Sequence, residues 1–222
     1  VANAGDAAVV SEVVAGNGFQ KTGAGRLQLT AANTYTGVTT VSAGTLRLNA
    51  NTASVLGASG AGNHTVVEDG ATLDVYSAYS GNVNEDFVIQ GAGVGGLGAL
   101  VNTGPTPYYN VGYRNLTLTG AATLGGSQRF DMAGNGTFTG NGFTLTKAGG
   151  FELAVSRAVN GSPIVINAGN YTIQHVDALG GATAGDTTLN GGKLLAWGNY
   201  TVAERLIVNG GTISSSCTGA NT

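Results

Sequence analysis

The stretch that decides the fold is Gly23-Ala-Gly-Arg-Leu-Gln-Leu-Thr-Ala-Ala-Asn-Thr-Tyr-Thr-Gly-Val-Thr-Thr-Val-Ser-Ala-Gly-Thr-Leu-Arg-Leu-Asn49. It contains two runs of alternating polar and apolar residues, Arg26–Thr30 and Thr45–Asn49, and a third run, Tyr35–Val41, lies between them. Alternation with period two is typical of strands with one buried face. The first two runs share one frame, and recurrence about every 20 residues is typical of a solenoid coil. The stretch therefore predicts a coil of short stacked strands.

The composition supports a folded chain with a weakly charged surface. Charged residues make up 9% of the 222 residues and the net charge is -3, whereas roughly 25% charged residues is usual. A surface without a basic field argues against nucleic-acid binding. The 39 glycines stand mostly at the ends of alternating runs, where turns need positive φ. The 42% of hydrophobic residues recur in order, which argues against a disordered linker.

The repeat returns near the end of the chain. The frame Asn190–Leu194 recurs as Asn209–Ile213, with the same offset as the two runs of the opening stretch, and no stretch between these regions has a helical pattern. Similar strands at a constant period can stack like residues on like residues, which favours a solenoid over a sandwich. We therefore predict an all-β parallel β-helix with about 20 residues per coil. It would form one domain over residues 1–222, as a segment of a longer protein.

The opening stretch also carries a family pattern. Residues 23–48 follow Gly-x-Gly-x-Leu-x-Leu, then Asn-Thr-Tyr-x-Gly, then Thr-x-Val-x-x-Gly-x-Leu. This pattern strongly resembles the autotransporter-associated β-strand repeat, and residues 177–213 resemble the degenerate coils around such repeats. The resemblance implies a right-handed parallel β-helix that is secreted or displayed on a bacterial cell surface. It also implies a spacer and folding element with no catalytic residues and no cofactor.

The two ends of the chain give further expectations. Val1 begins directly in mixed Gly/Ala/Asn sequence, which predicts a mature or excised piece if the protein is exported. Neither end resembles a polar cap, so we expect the stack to continue or to self-associate through open ends. No apolar stretch reaches the roughly 18 residues of a membrane span. Cys217 is the single cysteine and cannot form an internal disulfide.

One segment, Thr103–Tyr113, interrupts the alternation. It holds two of the three prolines and three tyrosines, and proline cannot donate a ladder hydrogen bond. We therefore expect a loop, with Tyr108, Tyr109, Tyr113 and Arg114 as candidate binding residues. Exposed aromatics beside an arginine suit sugar rings or a protein partner. The alternative is that the tyrosines pack the loop onto the solenoid.

Catalytic carboxylates are a separate candidate, because glycoside hydrolysis needs two of them about 5–9.5 Å apart. The candidate pairs are Asp69 with Asp74 and Glu85 with Asp86. Neighbouring strand residues face opposite sides, so Glu85 and Asp86 converge only in a turn. Asp74 and Asp86 meet only if their coils stack face to face. The pattern argues against an enzyme.

Other sites have weaker support in the sequence. His64 and His175 are far apart and no Gly-x-Ser-x-Gly element is present, which argues against a nucleophile triad. The run Gly95–Gly98 lacks the aspartate of a repetitive calcium site, so no metal is predicted. Three Thr-x-Thr pairs could form a flat hydroxyl array, as in ice-binding solenoids, or could be ordinary strand residues: Thr117/Thr119, Thr137/Thr139 and Thr144/Thr146.

The sequence as a whole predicts an extracellular or cell-surface structural solenoid. It would act as an adhesin stalk, a scaffold or a subunit of a self-assembling filament. Its partners would be further copies of itself, or glycans and proteins of a host or matrix. The alternative is a carbohydrate-binding or polysaccharide-degrading β-helix.

Overall fold

The structure, a computed structural model, describes residues 7–76, 83–105, 107, 113–133, 136–181 and 184–216. Within these ranges the strands form one sheet of fifteen and one of five. The described strand pairings are all parallel, because each coil brings the chain back to the start of the same face. The predicted parallel β-solenoid is confirmed, with about nine turns.

The strands are short, as the alternating runs predict. The first ten are β1 (Ala7–Val10), β2 (Asn17–Lys21), β3 (Arg26–Leu29), β4 (Thr36–Val41), β5 (Thr45–Leu48), β6 (Thr65–Val67), β7 (Thr72–Asp74), β8 (Val83–Gly91), β9 (Leu100–Asn102) and β10 (Tyr113–Gly126). The others are β11 (Phe130–Met132), β12 (Thr137–Thr139), β13 (Leu145–Lys147), β14 (Glu152–Val155), β15 (Ile164–Ile166), β16 (Asn170–Ile173), β17 (Thr187–Leu189), β18 (Lys193–Ala196), β19 (Leu206–Val208) and β20 (Thr212–Ser215).

Side chains at equivalent positions of successive coils stack on one another. The column that begins in the opening stretch runs through Leu27, Leu46, Leu73, Leu100, Leu124, Lys147, Ile166, Leu189 and Val208. The step between stacked residues is uneven, since Asn209 follows Asn190 by 19 residues whereas Asp74 follows Arg47 by 27 residues. The average coil has about 22 residues, slightly more than the sequence period predicts.

The long strand β10 runs across two faces of one coil. Its first half pairs with β8 on one side and β12 on the other. Its second half pairs with β9 and β13. A register shift between Leu118 and Ala122 separates the halves, which is where a bulge changes the direction of a strand. After β10 the chain forms the five-stranded sheet β11-β14-β16-β18-β20.

A lysine occupies one position of the aliphatic column. Lys147 is 1% exposed, and its Nζ donates to the carbonyls of Gly149 at 2.8 Å and Ala168 at 2.8 Å. The same atom lies 3.7 Å from the centre of the Phe151 ring. Burial lowers the pKa of Lys147 to about 7, while the carbonyls and the ring favour its ammonium. Lys147 thus links the turn after β13 to the turn of the next coil.

Asparagines form a second column, at the turns that the Asn-Gly-Gly frame predicts. The side chain of Asn209 donates to that of Asn190, and Asn190 donates to Asn167, each over 2.9 Å. The predicted repeat at these positions is therefore an actual stacking of like residues. The column gives hydrogen-bond partners to the asparagine side-chain amides that face outward at these turns.

Two local expectations have different outcomes. The turn at Asp69-Gly70 connects β6 to β7, which pair with different neighbours, so it joins two faces of a coil as predicted. The Thr-x-Thr pairs do not stack into one array. Thr117 neighbours Thr139, but Thr146 neighbours Thr123 and Val165.

Candidate functional site

Residues 103–105 and Pro107 of the proline- and tyrosine-rich segment lie outside the strands, as predicted, whereas Tyr113 at its end is a strand residue that pairs with Val83. Strand β9 ends at Asn102 and β10 begins at Tyr113, and we call the stretch of sequence between them, residues 103–112, the connection. Tyr108 and Tyr109 lie outside the described residues, and their binding role stays a prediction. The described residues show how the connection is attached at each end.

The start of the connection is attached through Asp74, which is 1% exposed. Its carboxylate accepts from the Thr103 hydroxyl at 2.6 Å and from the Thr103 backbone N–H at 3.1 Å. It also accepts from Arg47 Nε at 2.9 Å and from the backbone N–H of Tyr76 at 3.2 Å. Arg47 Nη2 donates to the Thr103 hydroxyl at 3.0 Å. We call this group the first anchor; it neutralises a buried carboxylate and fixes the backbone at Thr103.

The end of the connection is attached through Asp86. Arg114 makes a bidentate contact with it, Nε to Oδ1 at 2.8 Å and Nη2 to Oδ2 at 2.7 Å. The Asn115 side chain donates to the same carboxylate at 2.8 Å. Hydrogen bonding by Arg114 holds the pKa of Asp86 below its usual range. This second anchor gives Arg114 a positioning role, and ligand contact by Arg114 stays a prediction.

A polar cleft of about 290 Å³ lies beside the second anchor. His64, Asp86, Asn115 and Thr137 contribute to its lining. The side-chain Oδ1 of Asn115 accepts from the hydroxyl of Thr137 at 2.7 Å, so the side chains of neighbouring coils are held together at the edge of the cleft. The cleft offers a surface next to the predicted binding loop.

The structure places the candidate catalytic carboxylates in separate environments. Glu85 is 4% exposed and Asp86 points outward, which confirms that neighbours on this strand face opposite sides. Asp74 stacks between Arg47 and Val101, whereas Asp86 stacks beside Asn115. Asp74 and Asp86 therefore do not stack face to face. Each carboxylate is instead bound by its own arginine.

Glu85 is a buried acid inside the solenoid. The Thr65 hydroxyl donates to its Oε1 at 2.8 Å. Burial raises the pKa of Glu85 to about 7, although the hydrogen bond from Thr65 by itself lowers this pKa. A neighbouring hydroxyl pair, Tyr35 and Thr39, is 2.7 Å apart. The part of the described interior that surrounds Glu85 is therefore polar.

Stability should fall with rising pH because of Glu85. Its folded pKa of about 7 is above the ordinary 4.5, so the folded state holds the proton more tightly. The contribution of the protonated Glu85 to the free energy of unfolding is fully present below pH 4.5. It is lost as the pH rises through 7, a change of about 3 kcal/mol.

The matched variant is Glu85→Gln, whose amide oxygen can accept from Thr65 at every pH. Urea unfolding from pH 4.5 to 8 should show the variant gaining about 3 kcal/mol relative to the parent. Lys147 titrates in both proteins and cancels in the difference. A difference that stays constant with pH would contradict a buried, protonated Glu85.

The first anchor was not predicted, although the sequence contains a signal for it. The runs Thr45-Leu-Arg-Leu and Thr72-Leu-Asp-Val share one frame, and they carry opposite charges at the same position. Stacking in that frame pairs Arg47 with Asp74. Thr103 carries no comparable signal, because its position depends on the course of a whole coil.

Within the described ranges, no helix is both long and apolar enough to cross a membrane. No group of three His, Cys, Asp or Glu residues in those ranges is placed to hold a metal ion. The fold and the two anchors define the class of protein: a parallel β-solenoid in which Thr103 and Arg114, at the two ends of the connection, are held by buried or partly buried carboxylates of neighbouring coils.

The comparisons with known proteins agree with this class. Residues 19–48 match the family model of the passenger-associated-transport-repeat. The chain is 32% identical over 201 residues to the adhesin BmaC autotransporter of Brucella suis biovar 1 (strain 1330), an alignment that covers 85% of this chain and 5% of that protein. No solved structure matches the chain.

The chain therefore carries a repeat of autotransporter passenger proteins and is similar over most of its length to an autotransporter, and it is secreted or exposed on the bacterial cell surface. The resemblance inferred from the opening stretch is confirmed. The chain spans about 5% of the length of the curated relative that it matches.

Proposed function

We propose that the chain is an adhesive passenger domain, in which the solenoid is a stiff stalk and the 103–112 connection is the binding element. The observation that carries the proposal is the pair of anchors at the two ends of the connection. The matched relative is named an adhesin, which supports the same role. We further propose that residues 1–222 form one domain of a longer surface protein.

The anchors favour binding for a physical reason. A loop that is fixed at both ends loses less conformational entropy when a partner binds than a free loop does. Each anchor uses an arginine and a carboxylate on neighbouring coils, so the ends of the connection are attached to the ladder itself. Tyr108, Tyr109 and Tyr113 would then contact a glycan or protein on a host or matrix surface.

The test is adhesion by the chain itself. Beads coated with it should bind to glycan arrays or to matrix-coated surfaces, and the double variant Tyr108→Ala/Tyr109→Ala should bind at least about tenfold less, since interface tyrosines are common hot spots. The matched control is Trp197→Ala, because this aromatic is 57% exposed and lies outside the connection. Equal loss in the control, or full adhesion by the double variant, would exclude the connection as the binding element. No adhesion by the parent would leave a spacer role only.

A further inference from the structure

A second surface feature lies on the outer face of β3, β5, β7 and β9. It is a groove of about 510 Å³, within the range of ligand sites. The groove extends from Arg26 across six successive strands to Gly149. At a strand spacing of about 4.8 Å, its length along the solenoid axis is about 24 Å. That length matches an extended chain of about seven residues.

One wall of the groove is apolar and firmly held. Residues 92–98 leave the ladder between β8 and β9, and Leu97 on this excursion is 70% exposed. The hydroxyl of Thr72 donates to the Gly98 carbonyl at 2.8 Å and accepts from the Val94 backbone N–H at 2.9 Å. A single threonine thus fixes both sides of the excursion. The exposed Leu97 is therefore a preorganised apolar surface and not the tip of a loose loop.

The charge of the groove is concentrated on one cation. Arg47 and Asp74 both line it, and they neutralise each other in the first anchor. Arg26 lines the end of the groove, is exposed, and forms no ion pair with a carboxylate in the described ranges. The groove therefore combines an aliphatic wall with one unneutralised positive charge.

We propose that this groove binds an extended peptide segment of another protein that carries an aliphatic side chain and a carboxylate. The aliphatic side chain packs on Leu97 and Val94, and the carboxylate pairs with Arg26. A glycan fits less well, because the described residues of the lining present mainly apolar atoms and include no aromatic ring on which a sugar could stack; the nearby ring of Tyr76 is covered by Arg47. The groove adjoins the start of the connection, because Thr103 contributes to its lining. This proposal rests on the proposed adhesive function in one respect only, namely that the peptide belongs to another protein.

The test uses fluorescein-labelled, end-blocked heptapeptides of Val, Leu and Ala with one Glu, and the same peptides with Gln in its place. Fluorescence anisotropy with the full chain should show saturable binding that is at least about tenfold weaker for the Gln peptides, because a charge-assisted hydrogen bond is lost. Arg26→Gln should remove the difference between the two peptides. Leu97→Asp should weaken the binding of both peptides by at least about tenfold.

The matched control for Leu97→Asp is Val176→Asp, an apolar residue that is 45% exposed and does not line the groove. It should leave binding unchanged. Since both positions are exposed, thermal unfolding should report folded chains for each variant. Lack of binding at millimolar peptide, equal binding of Glu and Gln peptides, unchanged binding by Leu97→Asp, or tighter binding of oligogalacturonate would overturn the proposal. These peptide results do not depend on adhesion by Tyr108 and Tyr109, so the two proposals fail separately.

Discussion

Replacing Gly44 with alanine is expected to destabilise the solenoid by about 4 kcal/mol, because strain and steric overlap add up. Gly44 lies in the turn between β4 and β5 with φ +66. A Cβ here would lie 2.5 Å from the Gly23 carbonyl oxygen and 2.7 Å from the Ala24 carbonyl carbon. Those atoms belong to the backbone of the preceding coil, so neither can move without opening the ladder. Urea unfolding at constant pH measures the loss.

The matched control for this prediction is Gly70→Ala. Gly70 has φ +76 in the turn between β6 and β7, but a Cβ there would meet nothing within 4 Å. Only the left-handed strain remains, about 1–2 kcal/mol. Equal losses at Gly44 and Gly70 would show that strain alone determines the cost, and that the coils can separate to accept a methyl group.

Replacing Asp74 with alanine is expected to cost about 4 kcal/mol and to release the start of the 103–112 connection, because removing one member of a buried ion pair is strongly destabilising. The substitution leaves the Thr103 and Tyr76 backbone N–H groups and Arg47 without their acceptor in a nearly closed site. Thermal unfolding measures the loss, and hydrogen exchange should be faster at Thr103 and Tyr76.

Two variants separate the causes at Asp74. Asp74→Asn keeps the shape and one acceptor, so its loss should be roughly half as large. Glu68→Ala removes an exposed carboxylate from the preceding turn and should stay within about 0.5 kcal/mol of the parent. If Asp74→Ala behaves like Glu68→Ala, the first anchor does not hold the connection.

The candidate site was only partly predictable. The prolines of Thr103–Tyr113 mark a loop because they cannot join a ladder, and this is a local property of the chain. The roles of Arg114 and Asp86 were not predictable in the same way. They are far apart in the sequence, and their contact depends on how β8 and β10 align. Glu85 and Asp86 were correctly placed on opposite faces, since alternation alone decides this.

The groove beside Leu97 could not have been predicted from the sequence. It needs six strands in one register, and the coils differ in length, as the uneven steps from Asn190 to Asn209 and from Arg47 to Asp74 show. A small change in any coil would move Arg26 and Leu97 relative to each other. Periodicity gives the average coil, but it does not say which coils are longer or where the extra residues project.

The sequence by itself determined the strands, the glycine turns and the stacking of coils. Period-two alternation, positive-φ glycines and the recurring leucine frame are properties of short stretches such as residues 23–49. The tertiary structure alone decided which polar residues meet. Arg47 with Asp74, and Lys147 with the turn of the next coil, become neighbours only when whole coils are stacked. The physical reason is that backbone pairing sets the spacing between coils, whereas the length of each coil sets which side chains lie opposite one another.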